Sequence, residues 1–209
     1  MTSFDINCRQ CDRLASFLDE VKAERPDYFA SPVPPFGAKK AQLLVVGLAP
    51  GMHGANRTGR PFTGDHAGIL LYETLHAFGF ASKPESISAD DGLKLKNCRI
   101  TNAVKCLPPQ NKPTGSEINQ CNAFLAEELK TMPKNSVLIA LGTIAHNAVL
   151  RAMGLKLSSF KFAHNAEHHL SDNITLIDSY HCSRYNTQTK RLTEDMFHDV
   201  FAKAKALIS

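Results

Sequence analysis

At 209 residues, with 43% hydrophobic and 21% charged side chains, the chain has the composition of a globular protein. Its length suits a single α/β domain over 1–209 and leaves little for a second. No apolar run approaches the roughly 18 residues of a membrane span, which excludes a helical membrane anchor. The opening MTSFDINCRQCDRL lacks the basic-then-apolar order of a secretory leader, so a reducing, cytoplasmic setting is expected, in which cysteines act as ligands or buried thiols. The net charge is only +4, but it is unevenly spread. Windows 28–64, 92–116 and 179–193 hold twelve of the 24 basic residues and none of the 20 acidic ones. A basic surface on an otherwise acidic chain points to a polyanionic partner.

In chain order, Cys8 and Cys11 form a C-x2-C pair, and a helix is expected after them with Leu14, Phe17, Leu18 and Val21 on one face. RPDYFASPVPPFG, residues 25–37, reads as an ordered loop leading to the first strand. Apolar runs at 42–48, 137–141 and 174–177 predict buried strands, and 98–104 is a more mixed fourth. Helical periodicity covers 65–78, 116–131, 143–153 and 193–207. Strands alternating with helices predict a mostly parallel sheet covered on both faces. Ligands of such sheets bind at the carboxyl ends of the strands. The loops there, 49–64, 105–115 and 179–192, fall within or mostly within the acid-free windows. The basic surface and the expected active-site edge therefore coincide.

The first of these loops lies in GLAPGMHGANRTGRPFTGDHAG, 47–68, whose six glycines permit close backbone approach to a ligand. It lacks the G-x4-G-K-[ST] pattern of a nucleotide triphosphatase. Phe62 stands there without apolar periodicity, either a ring to stack on a flat base or a plug over the core beneath. Asp65 either caps the helix that begins there or orients a water, and its two oxygens permit both. Asn102, near the end of its strand, is a turn residue or an amide that pairs with the edge of a base such as uracil. His181 heads the polar loop HCSRYNTQTKRLT, 181–193. Its imidazole is structural, or donates a hydrogen bond to a developing anion. Ser183, Arg184, Asn186, Thr187, Thr189, Lys190 and Arg191 offer the mixed donors that grip phosphates.

The C-x2-C pair needs two more thiolates to complete a zinc site or a cubane cluster. Cys106 and Cys121 are available, and their long spacing fits a cluster that clips the N-terminal segment to the core better than a zinc ribbon. The alternative is a set of buried thiols. Cys98 reads as a buried thiol, and Cys182 is open between reactivity and packing.

Together these segments resemble the family-5, or type B, uracil-DNA glycosylases, relatives of the thermophilic family-4 enzymes. The resemblance runs from Cys8 to Thr193. It rests on GLAPGMHGANRTGRPFTGD (47–65), TNAVKCLPPQNKPT (101–114), HCSRYNTQTKRLT (181–193) and the four cysteines, in that family's order. It implies a three-layer α/β/α sandwich around a four-stranded parallel sheet. It implies a structural [4Fe–4S] cluster on Cys8, Cys11, Cys106 and Cys121. It implies base-excision repair that excises uracil, and also hypoxanthine and other deaminated bases, from DNA; a monomer acting on single- or double-stranded DNA is the expected form. Phe62 would stack on the flipped base, Asn102 would contact it and His181 would stabilise it as it departs. Gly47, Ala49, Ser183, Arg184 and Asn186 are the remaining expected substrate contacts. Leu48 stands where family-4 enzymes carry an acid, which leaves Asp65 as the expected substitute. One departure is His181-Cys182-Ser183, where the family usually reads histidine–proline–serine; proline would fix φ there. Two rival readings are a non-catalytic iron–sulfur nucleic-acid-binding protein and a zinc-stabilised hydrolase.

Overall fold

The apolar runs fold as the centre of one sheet in the computed structural model, which describes residues 4–208. The elements in order are α1 (Asp12–Glu24), β1 (Phe36–Gly37), β2 (Leu43–Gly47), α2 (Ala55–Thr58), α3 (His66–Ala77), β3 (Cys98–Asn102), α4 (Gly115–Lys130), β4 (Ser136–Leu141), α5 (Thr143–Ala152), β5 (Glu167–Ser171), β6 (Ile174–Ser179), α6 (Arg184–Gln188) and α7 (Glu194–Ile208). The strand order is β1-β3-β2-β4-β6-β5. The inner four strands are parallel, and β1 and β5 pair antiparallel at the two edges. The expected four-stranded parallel sheet is thus the middle of a six-stranded one. Both additions escape an apolar-run reading: β1 is two residues of the proline-rich loop, and β5 is the polar EHHLS, tolerated because an edge strand need not be buried.

Side chains alternate between the two faces of the inner strands. Leu43 and Val45 of β2 pack with Leu71 and Leu75 of α3 and Phe197 and Phe201 of α7. Leu44 and Val46 pack with Leu125 of α4, Val149 of α5 and Leu14 of α1. Helices on both faces complete the three layers. Each buried aliphatic or phenyl group contributes about 1.5–3 kcal/mol, so the inner strands carry much of the stability. α4 begins with a capping box in which Thr114 and Glu117 satisfy each other's backbone N–H. Arg13 of α1 donates to both Glu117 oxygens, at 2.8 and 2.7 Å, docking α1 on that end of α4. β3 ends at Asn102, short of the expected 104, because Ala103 and Val104 turn their N–H groups to the Gly47 and Leu48 carbonyls. No helix among the described residues is long and apolar enough to cross a membrane.

Candidate active site

The carboxyl ends of β2, β3 and β6 open into a cavity of about 360 Å³ lined by Ala49, Phe62, Asp65, Asn102, His181 and Ser183, among others. That volume lies in the small-molecule range and accommodates one nucleobase. Three loops far apart in sequence converge because their strands run parallel and end on the same edge of the sheet, β3 beside β2 and β6 across the intervening β4.

Phe62 is 5% exposed, with its ring both in the core cluster and on the cavity wall, so it plugs the core and faces the site at once. Its backbone is left-handed, φ 55°, a conformation that costs a bulky residue on the order of 1–3 kcal/mol. The ring stacks on His181, with centroids 6.0 Å apart and planes at 29°. Gly47 lies beneath: a Cβ there would come within 2.5 Å of the Phe62 ring and would strike the Asn102 carbonyl oxygen. Bare backbone is what lets ring and amide close over the end of β2. Asn102 is 4% exposed, and its Oδ1 has no hydrogen-bond partner among the described residues. A buried acceptor left this way costs about 1–3 kcal/mol, which a ligand N–H would offset.

Asp65 divides its oxygens. Oδ1 accepts from the Gly68 N–H at 2.9 Å and caps α3. Oδ2 faces the 51–54 loop, where a Cβ on Gly54 would lie 2.5 Å from it. Burial pushes the Asp65 carboxyl above the usual carboxylate range, against the opposing pull of the Gly68 N–H, the His66 charge and the Ala67 N–H. Asn caps a helix about as well as Asp, so Asp65→Asn separates the two roles. The rate of the chemical step should fall by about 10²–10⁴ with the melting temperature little changed; an unchanged rate would leave Asp65 a cap alone.

His181 has a buried Nδ1 with no partner among the described residues, and burial lowers its pKa to about 4. The ring is therefore neutral at pH 7. Its loop is held at several points. Asn186 donates from Nδ2 to the His181 carbonyl at 2.8 Å, and Ser183 Oγ accepts from the Asn186 N–H at 3.4 Å to cap α6. Cys182 is fully buried, and its thiol donates to the Ala67 carbonyl at 3.3 Å. Its role is packing: the thiol ties the histidine loop to the start of α3, where a proline would have stiffened the turn itself. Cys98 is likewise wholly buried. Arg184 is exposed and lines a neighbouring surface depression with Arg57 and His66 rather than the cavity.

Several residues of this region are absent from the motif reading. Asn111 lines the cavity, and a polar residue in the loop after β3 was its signal. Tyr185 projects from α6 at 70% exposure, next to Arg184; an aromatic in a basic, polar loop was the signal. Asp178, in the otherwise apolar β6, is fully buried and accepts from His146 Nδ1 at 2.7 Å and His168 Nε2 at 3.0 Å. This bound triad braces the strand three residues before His181.

Cys8, Cys11, Cys106 and Cys121 line a separate small cavity between α1, α4 and the loop after β3, with Leu14 and Phe124 as apolar walls. Burial and the neighbouring thiols push Cys11 up to about 11 and Cys106 up to about 12, and burial raises Cys121 as well. Thiols raised in this way ionise together only beside a cation. Cys121 Sγ accepts the Lys105 N–H at 3.3 Å. Sulfurs on one tetrahedral zinc, bonded at 2.3 Å, stand roughly 3.8 Å apart. Among the described residues, the one group with three ligand atoms mutually within 4.8 Å is His146, His168 and Asp178, not the cysteines. The four thiols share one cavity and together could hold a metal centre.

A sequence model described as the uracil DNA glycosylase superfamily matches residues 34–205. A type-5 uracil-DNA glycosylase of Thermus thermophilus is 47% identical over 205 residues, covering 96% of this chain and 93% of that protein. A type-5 enzyme of Pyrobaculum aerophilum is 41% identical over 205 residues, 96% of this chain and 89% of its own length. A type-4 uracil-DNA glycosylase of Archaeoglobus fulgidus is 32% identical over 155 residues, 74% of this chain and 64% of its own length.

Proposed function

The chain belongs to the uracil DNA glycosylase superfamily, and from that footing we propose that it excises uracil from DNA by hydrolysing the N-glycosidic bond, in base excision repair. The observation that carries this reading is the meeting of an aromatic platform, an unpartnered amide, a neutral imidazole and a carboxylate in one base-sized cavity at a basic edge. The type-5 relatives support it.

A base in duplex DNA is out of reach, so the nucleotide must flip out, at a cost of a few kcal/mol. The flipped uracil stacks on Phe62 with its edge at Asn102, whose free Oδ1 accepts the N3–H. The glycosidic bond breaks ahead of water attack, leaving an oxocarbenium-like sugar and a uracil anion. His181, already neutral, stabilises that anion by donating a hydrogen bond without giving up a charge. Asp65 Oδ2 positions the water that adds to the sugar carbon, and takes its proton. The protein acts as one domain and a monomer in the cytoplasm. Deaminated purines such as hypoxanthine are further substrates.

Cys8, Cys11, Cys106 and Cys121 are assigned to a [4Fe–4S] cluster. When bound it supplies a structural cross-link between residues 8–11 and 106–121, and takes no part in bond cleavage. Tyr185 is suited to fill the gap that the flipped nucleotide leaves, stacking being worth about 1–3 kcal/mol. Tyr185→Ala should therefore slow excision from duplex about tenfold or more and spare single strands, where no gap opens; equal losses on both would remove Tyr185 from that role. The test of the whole reading is excision from oligonucleotides carrying uracil or hypoxanthine, single- and double-stranded. Uracil release is the expected result. Binding without release would replace the enzyme with a non-catalytic binding protein.

A further inference from the structure

The strained conformation of Phe62 is imposed from outside. Its sequence context, RPFTG, has no glycine at the position that needs one. Both neighbours are pinned instead. Arg60 is 5% exposed and sends its guanidinium into segment 86–91. Nη1 donates to Asp91 Oδ1 at 2.8 Å and to Ser86 Oγ at 3.0 Å, and Nη2 donates to the Ala89 carbonyl. The group also lies over the Phe36 ring, 4.4 Å from its centroid. The Pro61 carbonyl accepts from the Tyr72 hydroxyl at 2.8 Å, and the Thr63 hydroxyl is 2.7 Å from Ser86 Oγ. Behind Phe62, its carbonyl occupies the place a Cβ on Gly68 would take.

Segment 86–91 is itself organised around the carboxylate that holds Arg60. Asp91 accepts from the backbone N–H groups of Ile87, Ser88 and Leu93. Burial raises its carboxyl, but Arg60 and these donors more than reverse this and hold it at about 2. Asp91 is therefore ionised at any working pH. Ser86, Ala89 and Asp91 do not line the base cavity. Residues 60, 61 and 63 are each fixed, and the ring between them has little freedom left. A strained residue persists when its surroundings over-determine it, and this network does so.

We propose that Arg60 is a positioning residue for base recognition: gripped by Asp91, Ser86 and Ala89, it sets the height and tilt of the Phe62 ring, so that segment 86–91 governs stacking without touching the base. The proposal rests on the reading of Phe62 as the stacking platform. A guanidinium suits the task because its rigid fork serves several acceptors in one plane, which an ammonium does not.

The test is single-turnover excision from a uracil oligonucleotide at rising enzyme concentration, with melting temperature and iron content measured alongside. The variants are Arg60→Met, Arg60→Lys, Asp91→Asn, Phe62→Ala and the double variant Arg60→Met/Phe62→Ala. Arg60→Met should raise the half-saturating concentration about tenfold, the scale of one lost stacking contact, and change the saturated rate constant less. Asp91→Asn should do the same more weakly, and Arg60→Lys should not restore the wild-type value. The double variant should be no worse than Phe62→Ala alone, because a positioning residue has nothing left to position. Losses that multiply in the double variant overturn the proposal, as they would mark Arg60 as a brace of the fold. So does unchanged half-saturation in Arg60→Met and Asp91→Asn. Phe62→Ala with wild-type excision overturns the platform reading beneath it; impaired Phe62→Ala beside intact Arg60→Met overturns the proposal alone. Should Arg60→Met not fold, Ser86→Ala and Asp91→Asn, which keep Arg60, carry the same comparison.

Discussion

His181→Ala should lower the single-turnover rate constant for uracil excision by about 10²–10³, the loss of about 2.7–4 kcal/mol that accompanies removal of one donor to a developing anion. DNA affinity should change much less, because the hydrogen bond strengthens only as charge builds on the departing base. The same residue fixes the expected pH behaviour. Burial holds the folded pKa at about 4, against about 6.5 in an unfolded chain. His181 therefore stays neutral down to about pH 4, and the saturated rate should show no histidine titration near 6.5. The stability consequence has the opposite sign to that of a paired histidine. Between about pH 6.5 and 4 the unfolded chain binds a proton at this residue that the folded chain does not, so His181 makes the fold less stable as pH falls through that window. His181→Ala should flatten that part of the stability curve. A rate constant within a factor of two of wild type would remove His181 from the chemistry.

The second large effect concerns the cysteines. Cys106→Ala should yield protein without a full complement of four iron atoms and without the brown absorbance of a cluster. Its melting temperature should drop. Loss of a structural metal centre belongs with the largest single-residue effects, about 3–5 kcal/mol, or about 6–20 °C for a chain of this size. The structural reason, on the proposed cluster assignment, is that α1 depends on the clip. Its buried face of Leu14, Ala15, Leu18 and Val21 and the Arg13–Glu117 pair are its other attachments, and the pair is partly exposed and worth little by itself. Limited proteolysis should accordingly cut within the first 30 or so residues of the variant, a scale set by the tendency of termini that are not tied down to be nicked. Purified wild type that contains one zinc and no iron would overturn the cluster assignment.

The central strands were legible because burial on both faces leaves continuous apolar runs, as in LLVV and VLIAL. The long helices were legible from their periodicity, with bounds within a residue or two. β1, β5 and the one-turn α2 and α6 were not, since elements this short are created by their neighbours rather than by their own pattern. The cavity was legible in part. Phe62, Asp65, Asn102 and His181 could be placed at strand ends from sequence, whereas Arg184 lies outside the cavity and Asn186 turns inward to its own loop. Arg60 and Asp91 are 31 residues apart, and nothing in either local pattern announces the other. Asp178 reads in sequence as the polar end of a strand, and only the folding of β5 against β6 brings His168 to it.

β6 lies inside the sheet, hydrogen-bonded to β4 on one side and to β5 on the other. While the chain is being made, β4 is an apolar strand with one open edge, a template for aggregation. The β5–β6 hairpin closes that edge, and the residue two places beyond β6 is His181. The pairing that covers that edge is therefore also the one that brings His181 to the cavity.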